Sequence, residues 1–288
     1  MMSFELVNLA LDELYCQGCK KYGECLDKVI LKQIKYLSTR YASLHHETRN
    51  PVDYKDPATR FAYVYKYVTA HSDYLIQVMQ LLRSKLGGNI FTNKTARITC
   101  VGGGPGTDII AILKYLTEHQ KKESVERVTC HLLDREQAWA DTWTELSEHL
   151  DLALQLTANF QPLDVIEPAS WEFQQKFLRA DLFTMSYFVS EVHRLDKNGE
   201  VSQFWSALFQ GAKPGALFAY VDNGHMDLNG YFDAQWKAAG LTCLISGNNI
   251  RRTPRPSEQA SALGIYRQKF GHDPKLQGFL SYRVVRKA

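Results

Sequence analysis

An open α/β sheet preceded by a helical region is the fold this sequence predicts, and three observations predict it. Residues Arg97 to Asp108 run from a short β-branched strand into the glycine-rich turn Gly102-Gly103-Gly104-Pro105-Gly106 and on into a helix. From there to the C-terminus, strand-like and helix-like apolar patterns alternate regularly. Before it, the chain carries apolar positions at helical spacing. Residues 1–92 therefore read as a helical accessory region and 93–288 as the ligand-binding domain.

In the first region, Phe4, Val7, Leu11 and Leu14 form one helical stripe, and Gly18 and Gly23 mark a break after it. A second helix from about Leu26 to Leu44 repeats Val29, Ile30, Ile34, Leu37, Tyr41 and Leu44 on one face, with lysines and an arginine on the other. His45 and His46 fall at its end, where a cation suits the helix dipole. Asp56-Pro57 supplies an N-cap and a first-turn residue for a helix from Pro57 to Leu86. That helix is expected to be interrupted near His71-Ser72 and to end at Gly87-Gly88. It carries two stripes, one with Phe61, Val64, Tyr65 and Val68 and one with Tyr63, Tyr67, Ala70 and Tyr74, so cover on more than one side is expected.

The glycine turn reads as a ligand loop. Gly102, Gly104 and Gly106 lack Cβ atoms, which permits positive φ and close approach of backbone to a ligand. The helix from about Thr107 to His119, with Asp108 in its first turn, aims unpaired N–H groups at whatever sits over the loop. A dinucleotide fold would place a third glycine at position 107, where Thr stands, and this weighs against a pyrophosphate ligand. Arg127 to Leu133 is a second strand ending in Asp134, an acid at the tip where two acceptor oxygens match two ribose hydroxyls. A helix from about Gln137 to Leu150 and a third strand, Leu154 to Phe160, lead to Asp164.

The fourth strand is Leu182 to Phe188. Ser186, Tyr187 and Glu191 lie toward its carboxyl end, which faces the crevice where open α/β sheets bind ligands. A helix over 201–211, the turn Lys213-Pro214-Gly215 and a fifth strand, Ala216 to Val221, follow, with Asp222, Asn223 and His225 just beyond its tip. A helix near Tyr231 to Ala239 and strands at Leu241 to Ser246 and Phe279 to Val285 complete the pattern. Asn248 to Gln277 is a long loop with Arg251, Arg252, Arg255, Arg267, Lys269 and Lys275 against Glu258 and Asp273. It reads either as a phosphate contact or as a solvated loop.

This loop, and the order of elements after it, resembles the class I S-adenosylmethionine-dependent methyltransferase superfamily over about Arg97 to Lys287. The resemblance implies a Rossmann-like seven-stranded sheet of order 3-2-1-4-5-7-6, and S-adenosylmethionine as cofactor. It implies that Gly102, Gly103, Gly104 and Gly106 hold the methionine end, with Asp108 and Ser186 contributing to the cofactor site. Asp134 would take the ribose hydroxyls and Asp164 would lie near the adenine amino group; either acid could instead be a solvated strand-end carboxylate or a helix N-cap. Many members carry an acid two places before the first glycine, where this chain has Cys100, and Asp108 is the residue that could compensate. Members also place an N-terminal helical segment over the site, so Arg60 and Tyr63 read either as part of a lid or as packing residues.

With 288 residues, 45% of them hydrophobic, the chain can bury a full core. A net charge of +3 and a pI near 8.4 announce no strongly basic surface, although a local patch is compatible with them. Glu5, Asp12 and Glu13 replace the basic start of a signal peptide, and no run of about 18 apolar residues occurs. A soluble cytoplasmic or nuclear protein with no membrane partner is expected. Cys100, Cys130 and Cys243 fall on expected strands as small hydrophobes. Cys16, Cys19 and Cys25 read as reduced thiols at a turn between helices, or as three zinc ligands with His45 or His46 as a fourth, and no metal is assigned.

Methyl transfer is an in-line displacement at a sulfonium. The protein has to align nucleophile and methyl group, and to remove a proton where the nucleophile carries one. Tyr187, Glu191, Asp222 and His225 are the polar groups at the ends of strands four and five, and so the candidate catalytic and acceptor-pocket residues. Glu191 or His225 would serve as base and Tyr187 would orient the acceptor; Glu191 reads equally as a helix cap. The Asn/Asp-Pro-Pro-Tyr motif of many amino methyltransferases is absent after strand four, and no Pro-Cys or Thr-Cys pair stands there. Phe183 to Glu191 and Pro214 to Asp222 faintly resemble eukaryotic ribosomal RNA uridine methyltransferases and mitochondrial ribosome-associated methyltransferase-like factors. That resemblance implies RNA ahead of a small molecule as acceptor. Two classes stay open: an active methyltransferase, favoured by the intact glycines with Asp134 and Asp164, and a methyltransferase-like binding or assembly protein, favoured by Cys100.

Overall fold

The computed structural model describes residues 3–42, 52–120, 122–150, 152–256 and 263–288. Seven strands form one sheet: β1 Thr95–Val101, β2 Arg127–Asp134, β3 Gln155–Pro162, β4 Leu182–Ser186, β5 Leu217–Asn223, β6 Thr242–Arg252 and β7 Gly278–Arg286. The central strands read as near-continuous runs of apolar and β-branched residues because helices cover both their faces, and β4 and β5 are buried almost throughout. β3, at an edge, alternates instead. The order is β3-β2-β1-β4-β5-β7-β6, with β1 to β5 parallel and β7 antiparallel to β5, Leu217 facing Arg286 and Asn223 facing Leu280. The sheet expected from the resemblance is the sheet that forms.

The α-helices of the described residues are, in the first part, α1 Ser3–Tyr22, α2 Leu26–Ala42, α3 Pro57–Tyr63, α4 Thr69–Leu86, α5 Thr107–Glu118 and α6 Ala138–Glu148. They continue with α7 Val189–Val192, α8 Glu200–Gly211, α9 Met226–Ala238 and α10 Gly264–Phe270. None is long and apolar enough to cross a membrane. The chain divides into two compact units. One comprises Met1–Tyr74, Glu136–Asp151 and Thr253–Gly278, and the other Leu75–Arg135, Leu152–Arg252 and Phe279–Ala288.

The second unit holds the sheet. Its core is aromatic: Phe183 stacks on Phe218 at 4.6 Å between ring centroids, Tyr220 on Phe232 at 4.7 Å, and Phe209 meets Phe218 edge-on at 4.9 Å. Trp205, on α8, is fully buried among them. Each such ring contributes about 1.5–3 kcal/mol by leaving water.

The first unit is helical and assembled from three separate stretches of chain. Phe61 lies among Tyr15, Tyr266 and Phe270, at centroid distances of 6.2, 5.0 and 5.6 Å. Asp56 caps α3 as expected, accepting from the Thr59 N–H at 3.3 Å and its hydroxyl at 3.0 Å. Three expectations need correction. The helix continues through Gly18 to Tyr22; a Cβ at Gly18 would stand 2.6 Å from Leu26 Cδ1, so this glycine permits close packing and the break falls at Gly23. The interruption expected at His71-Ser72 is a π-helical segment at Val64–Val68, whose wider turn offsets one apolar stripe from the other. The basic stretch after β6 contains α10, and several of its charges are taken up: Arg255 pairs with buried Asp73, Arg267 with Asp273 and Lys269 with Asp27. Leu44, His45 and His46 lie outside the described residues.

Because Phe61 and its neighbours are covered by residues after position 92, residues 1–92 expressed alone are expected to aggregate. Trp139, Tyr266 and Phe270 would be missing, leaving Phe61, Tyr63 and Tyr65 exposed. Sedimentation and thermal melting check this, and a monomeric fragment that melts cooperatively would contradict it.

Candidate functional site

β1 ends in the glycine loop. Gly102, Gly104 and Gly106 adopt φ of +64°, +50° and +85°, the left-handed region that side chains with a Cβ resist. The floor of the loop is also tight. A Cβ at Gly102 would come within 2.2 Å of the Phe188 ring, and one at Gly103 within 2.3 Å of Leu132. The loop is pinned by Gly103 N–H to Leu133 O at 3.0 Å and Gly106 N–H to Gly103 O at 2.9 Å, and Gly106 opens α5.

Asp108, in the first turn of α5, is 3% exposed. Burial pushes its carboxyl up from the ordinary range, while nearby Thr184 and Ser186 of β4 oppose that rise. Both hydroxyls and the Ser186 backbone N–H face the carboxyl. Asp108 Oδ1, Thr184 Oγ1 and Ser186 Oγ are buried together, and neither they nor Thr107 Oγ1 make a hydrogen bond of good geometry within the protein. A buried carboxyl served only by two hydroxyls and the Ser186 backbone keeps spare acceptor capacity, which suits a polar ligand. Cys100 supplies no charge here: its thiol lies 3.8 Å from Cys130 Sγ, and burial holds it well above the ordinary thiol range.

Asp134, the last residue of β2, is half-buried and accepts the Gly104 N–H on Oδ2 at 2.9 Å. The carboxylate is thereby tied to the glycine loop. Asp164, past the end of β3, accepts the Ile166 N–H on Oδ1 at 3.2 Å and faces Arg135 at 3.7 Å. Its own N–H and C=O are both bonded by the Ser170 hydroxyl, so a turn-forming role is visible.

β4 stops at Ser186, two residues before the expected end, because Tyr187 takes φ +58° and turns the chain into α7. For a bulky residue this conformation costs energy and marks a held position. Tyr187 is buried, its N–H bonded to Val221 O at 2.7 Å and its C=O to the Ser190 hydroxyl at 3.0 Å. Asp222, expected beyond the tip of β5, is inside the strand and fully buried. Its Oδ2 accepts the Ser190 N–H at 2.8 Å, linking β5 to α7. Glu191 and His225 are exposed, His225 at the N-cap of α9, which begins at Met226 rather than near Tyr231. Arg60 and Tyr63 are engaged in their own unit. Arg60 donates to Tyr54 O, Lys55 O and Gln17 Oε1, and Tyr63 packs on Tyr54, Tyr67 and Trp139.

The model of a family described as "Putative SAM-dependent methyltransferase" matches residues 58–227. The chain belongs to this S-adenosylmethionine-dependent methyltransferase family. No match exists among curated protein sequences. Of solved structures, the CurJ carbon methyltransferase is similar with a TM-score of 0.50 at 14% identity, over 96% of this chain and 70% of that one, a likeness of fold. An O-methyltransferase family protein of Burkholderia thailandensis gives 0.47 at 14% identity, over 90% of this chain and 71% of that one. A SAM-dependent methyltransferase of Methanosarcina mazei gives 0.43 at 11%, over 68% and 94%.

The residues present fit the methyltransferase's cofactor. The three left-handed glycines let backbone approach a ligand with no Cβ between them, and buried Asp108 and Ser186 offer acceptor oxygens to an ammonium or hydroxyl donor. Thr107 and Thr184 were not singled out in the sequence. A polar Thr inside the apolar run Leu182-Phe183-Thr184-Met185 was the signal for the second. The exposed Cys16, Cys19 and Cys25 lie on α1 and the turn after it, and no metal-holding cluster occurs among the described residues. Asp134→Ala is expected to weaken cofactor binding by about 1.5 to 3 kcal/mol, roughly 10- to 150-fold, if a charged acceptor loses its hydrogen bonds. Calorimetry reads this directly, and unchanged affinity would place the ribose contact elsewhere.

Proposed function

We propose that this methyltransferase is active, with residues 93–288 as the transferase domain, residues 1–92 as its helical accessory region, and RNA as the acceptor ahead of a small molecule. The observation that carries activity is the buried pairing of the Asp108 carboxyl with the Ser186 hydroxyl beside three left-handed glycines. The cofactor supplies an electrophilic methyl group on a sulfonium. In this reading Gly102 to Gly106, Asp108 and Ser186 hold its methionine end, Asp134 the ribose and Asp164 the adenine. Tyr187, held at a strained φ, and Asp222, which fixes α7, shape the acceptor pocket; Glu191 or His225 takes the proton. The RNA reading is supported by the segments Phe183 to Glu191 and Pro214 to Asp222, and a cytoplasmic or nuclear location is part of the same proposal.

The neutral, buried Cys100 in place of the common acid favours a second reading, a methyltransferase-like binding or assembly protein. Calorimetric titration with S-adenosylmethionine separates the two, since a scaffold without a working site gives no binding heat. Radiolabelled cofactor incubated with separated cell RNA, protein and metabolite fractions then finds the acceptor: label in RNA supports the proposal, and label only in metabolites ends it. Tyr187→Phe, Glu191→Gln and His225→Ala are expected to slow turnover, about 100-fold for the one that removes the base. Cofactor affinity should be nearly unchanged in all three, and full activity in all three would move the pocket.

A further inference from the structure

The N-terminal helical unit carries a charged surface that the transferase reading leaves unused. α2 is amphipathic with an unusual division. Leu26, Ile30, Ile34 and Leu37 are buried to 1% exposure or less, while Lys28, Lys32 and Lys35 stand exposed on the opposite face. Spacings of four and three residues put the three lysines within about 60° of arc and about 10 Å along the axis. Elsewhere among the described residues of this unit four cations are matched, Lys21 with Asp56, Arg255 with Asp73, Arg267 with Asp273 and Lys269 with Asp27, and the exposed cations without an ion pair, Lys20 and Lys55, stand singly rather than on one helix face. Lys28, Lys32 and Lys35 enter no ion pair or hydrogen bond among the described residues. Asp27, the one acid of α2, is turned to other partners, Tyr15 and Lys269.

Three like charges on one face repel each other and work against the helix that carries them. A polyanion relieves that repulsion. We infer that the Lys28, Lys32 and Lys35 face of α2 is a backbone-binding surface for single-stranded RNA. Tyr36, 38% exposed on the same side of the helix, adds an aromatic ring of the kind on which unpaired bases stack. A lipid surface is disfavoured, because an interfacial helix inserts its apolar face and that of α2 is already buried. This surface gives the transferase a hold on its acceptor and so rests on RNA being that acceptor.

The test is fluorescence anisotropy of the full chain with a labelled single-stranded RNA of mixed sequence across a salt series. It compares the parent with the triple variant Lys28→Gln, Lys32→Gln, Lys35→Gln, and with a control variant Lys176→Gln, Lys197→Gln, Lys237→Gln that removes exposed lysines of the other unit. Releasing three counterions fewer lowers the slope of log affinity against log salt by about 2 and affinity at 0.1 M salt by about 100-fold. The expected result is that loss in the α2 variant, a smaller one in the control, and S-adenosylmethionine binding equal to the parent's in both. A parent that binds RNA and an α2 variant that binds as well would overturn the surface and leave RNA standing as acceptor. Equal losses in both variants would also overturn it, showing diffuse attraction. A parent that binds phosphatidylserine vesicles through these lysines but no RNA would overturn the surface and the RNA reading together.

Discussion

Gly106→Val is expected to abolish measurable binding of S-adenosylmethionine. Gly106 holds φ +85° and ψ 22° where the loop turns into α5, a conformation that a β-branched residue takes only at a cost of about 1–3 kcal/mol. The cost alone would strain the loop. Beyond it, the isopropyl group would stand where the backbone has to approach its ligand, and the Gly106 N–H to Gly103 O bond that shapes the turn would be disturbed. A loss of at least about 100-fold, or about 2.7 kcal/mol, should appear by calorimetry in a variant whose circular dichroism is still that of the parent. Gly106→Ala should fall between the two. If the valine variant bound as tightly as the parent, the cofactor would not sit on this loop.

The largest single loss of stability is expected from Asp233→Ala. Arg283, 5% exposed on β7, makes a two-pronged ion pair with Asp233 of α9, Nε to Oδ1 at 2.9 Å and Nη2 to Oδ2 at 3.2 Å. Removing the carboxylate leaves a guanidinium in a nearly dry place, with only the Gly247 and Tyr282 carbonyls as partners. Breaking a buried pair costs about 3–5 kcal/mol, and because Asp233 is itself partly exposed the lower end is expected. Although burial raises the Asp233 carboxyl, Arg283 and Trp236 more than offset that and hold it below its ordinary value. The pair's stabilisation is therefore complete above the ordinary carboxylate range and lost as pH falls through the depressed one. Denaturant melts between pH 3 and 7 should show parent and variant converging at the acid end. The double variant Asp233→Leu, Arg283→Met should recover most of the loss at pH 7, and failure to do so would mean the pair is not its source.

The sheet was legible because its signals are local. A parallel strand buried on both faces is an unbroken apolar run, and a glycine loop between strand and helix is contiguous in sequence. What stayed hidden depends on residues far apart. Arg255 reads as a loop charge until Asp73, 182 positions earlier, is seen to hold it. Phe61 gives no hint that Tyr266 and Phe270 cover it. The early end of β4 was illegible for another reason: Tyr is not a residue whose identity suggests a left-handed φ, so Tyr187 could be placed at a site but not recognised as its bend. Asp222 was named for its place near a strand tip. Its observed bond to Ser190 shows a carboxylate bracing backbone, which spacing alone does not distinguish from one facing a substrate.

The helical unit is closed by contacts such as Tyr65 Oη to His272 O, which joins residues 207 positions apart. During synthesis those helices emerge first and find their cover last. At about 5–20 residues per second, the interval between Tyr65 and its partner lasts roughly 10 to 40 seconds. Throughout it the rings of Phe61 and Tyr65 have no Tyr266 or Phe270 to cover them. This chain therefore leaves the ribosome with its most aromatic helices unprotected, and its yield in a cell should follow the supply of chaperones that bind nascent apolar segments.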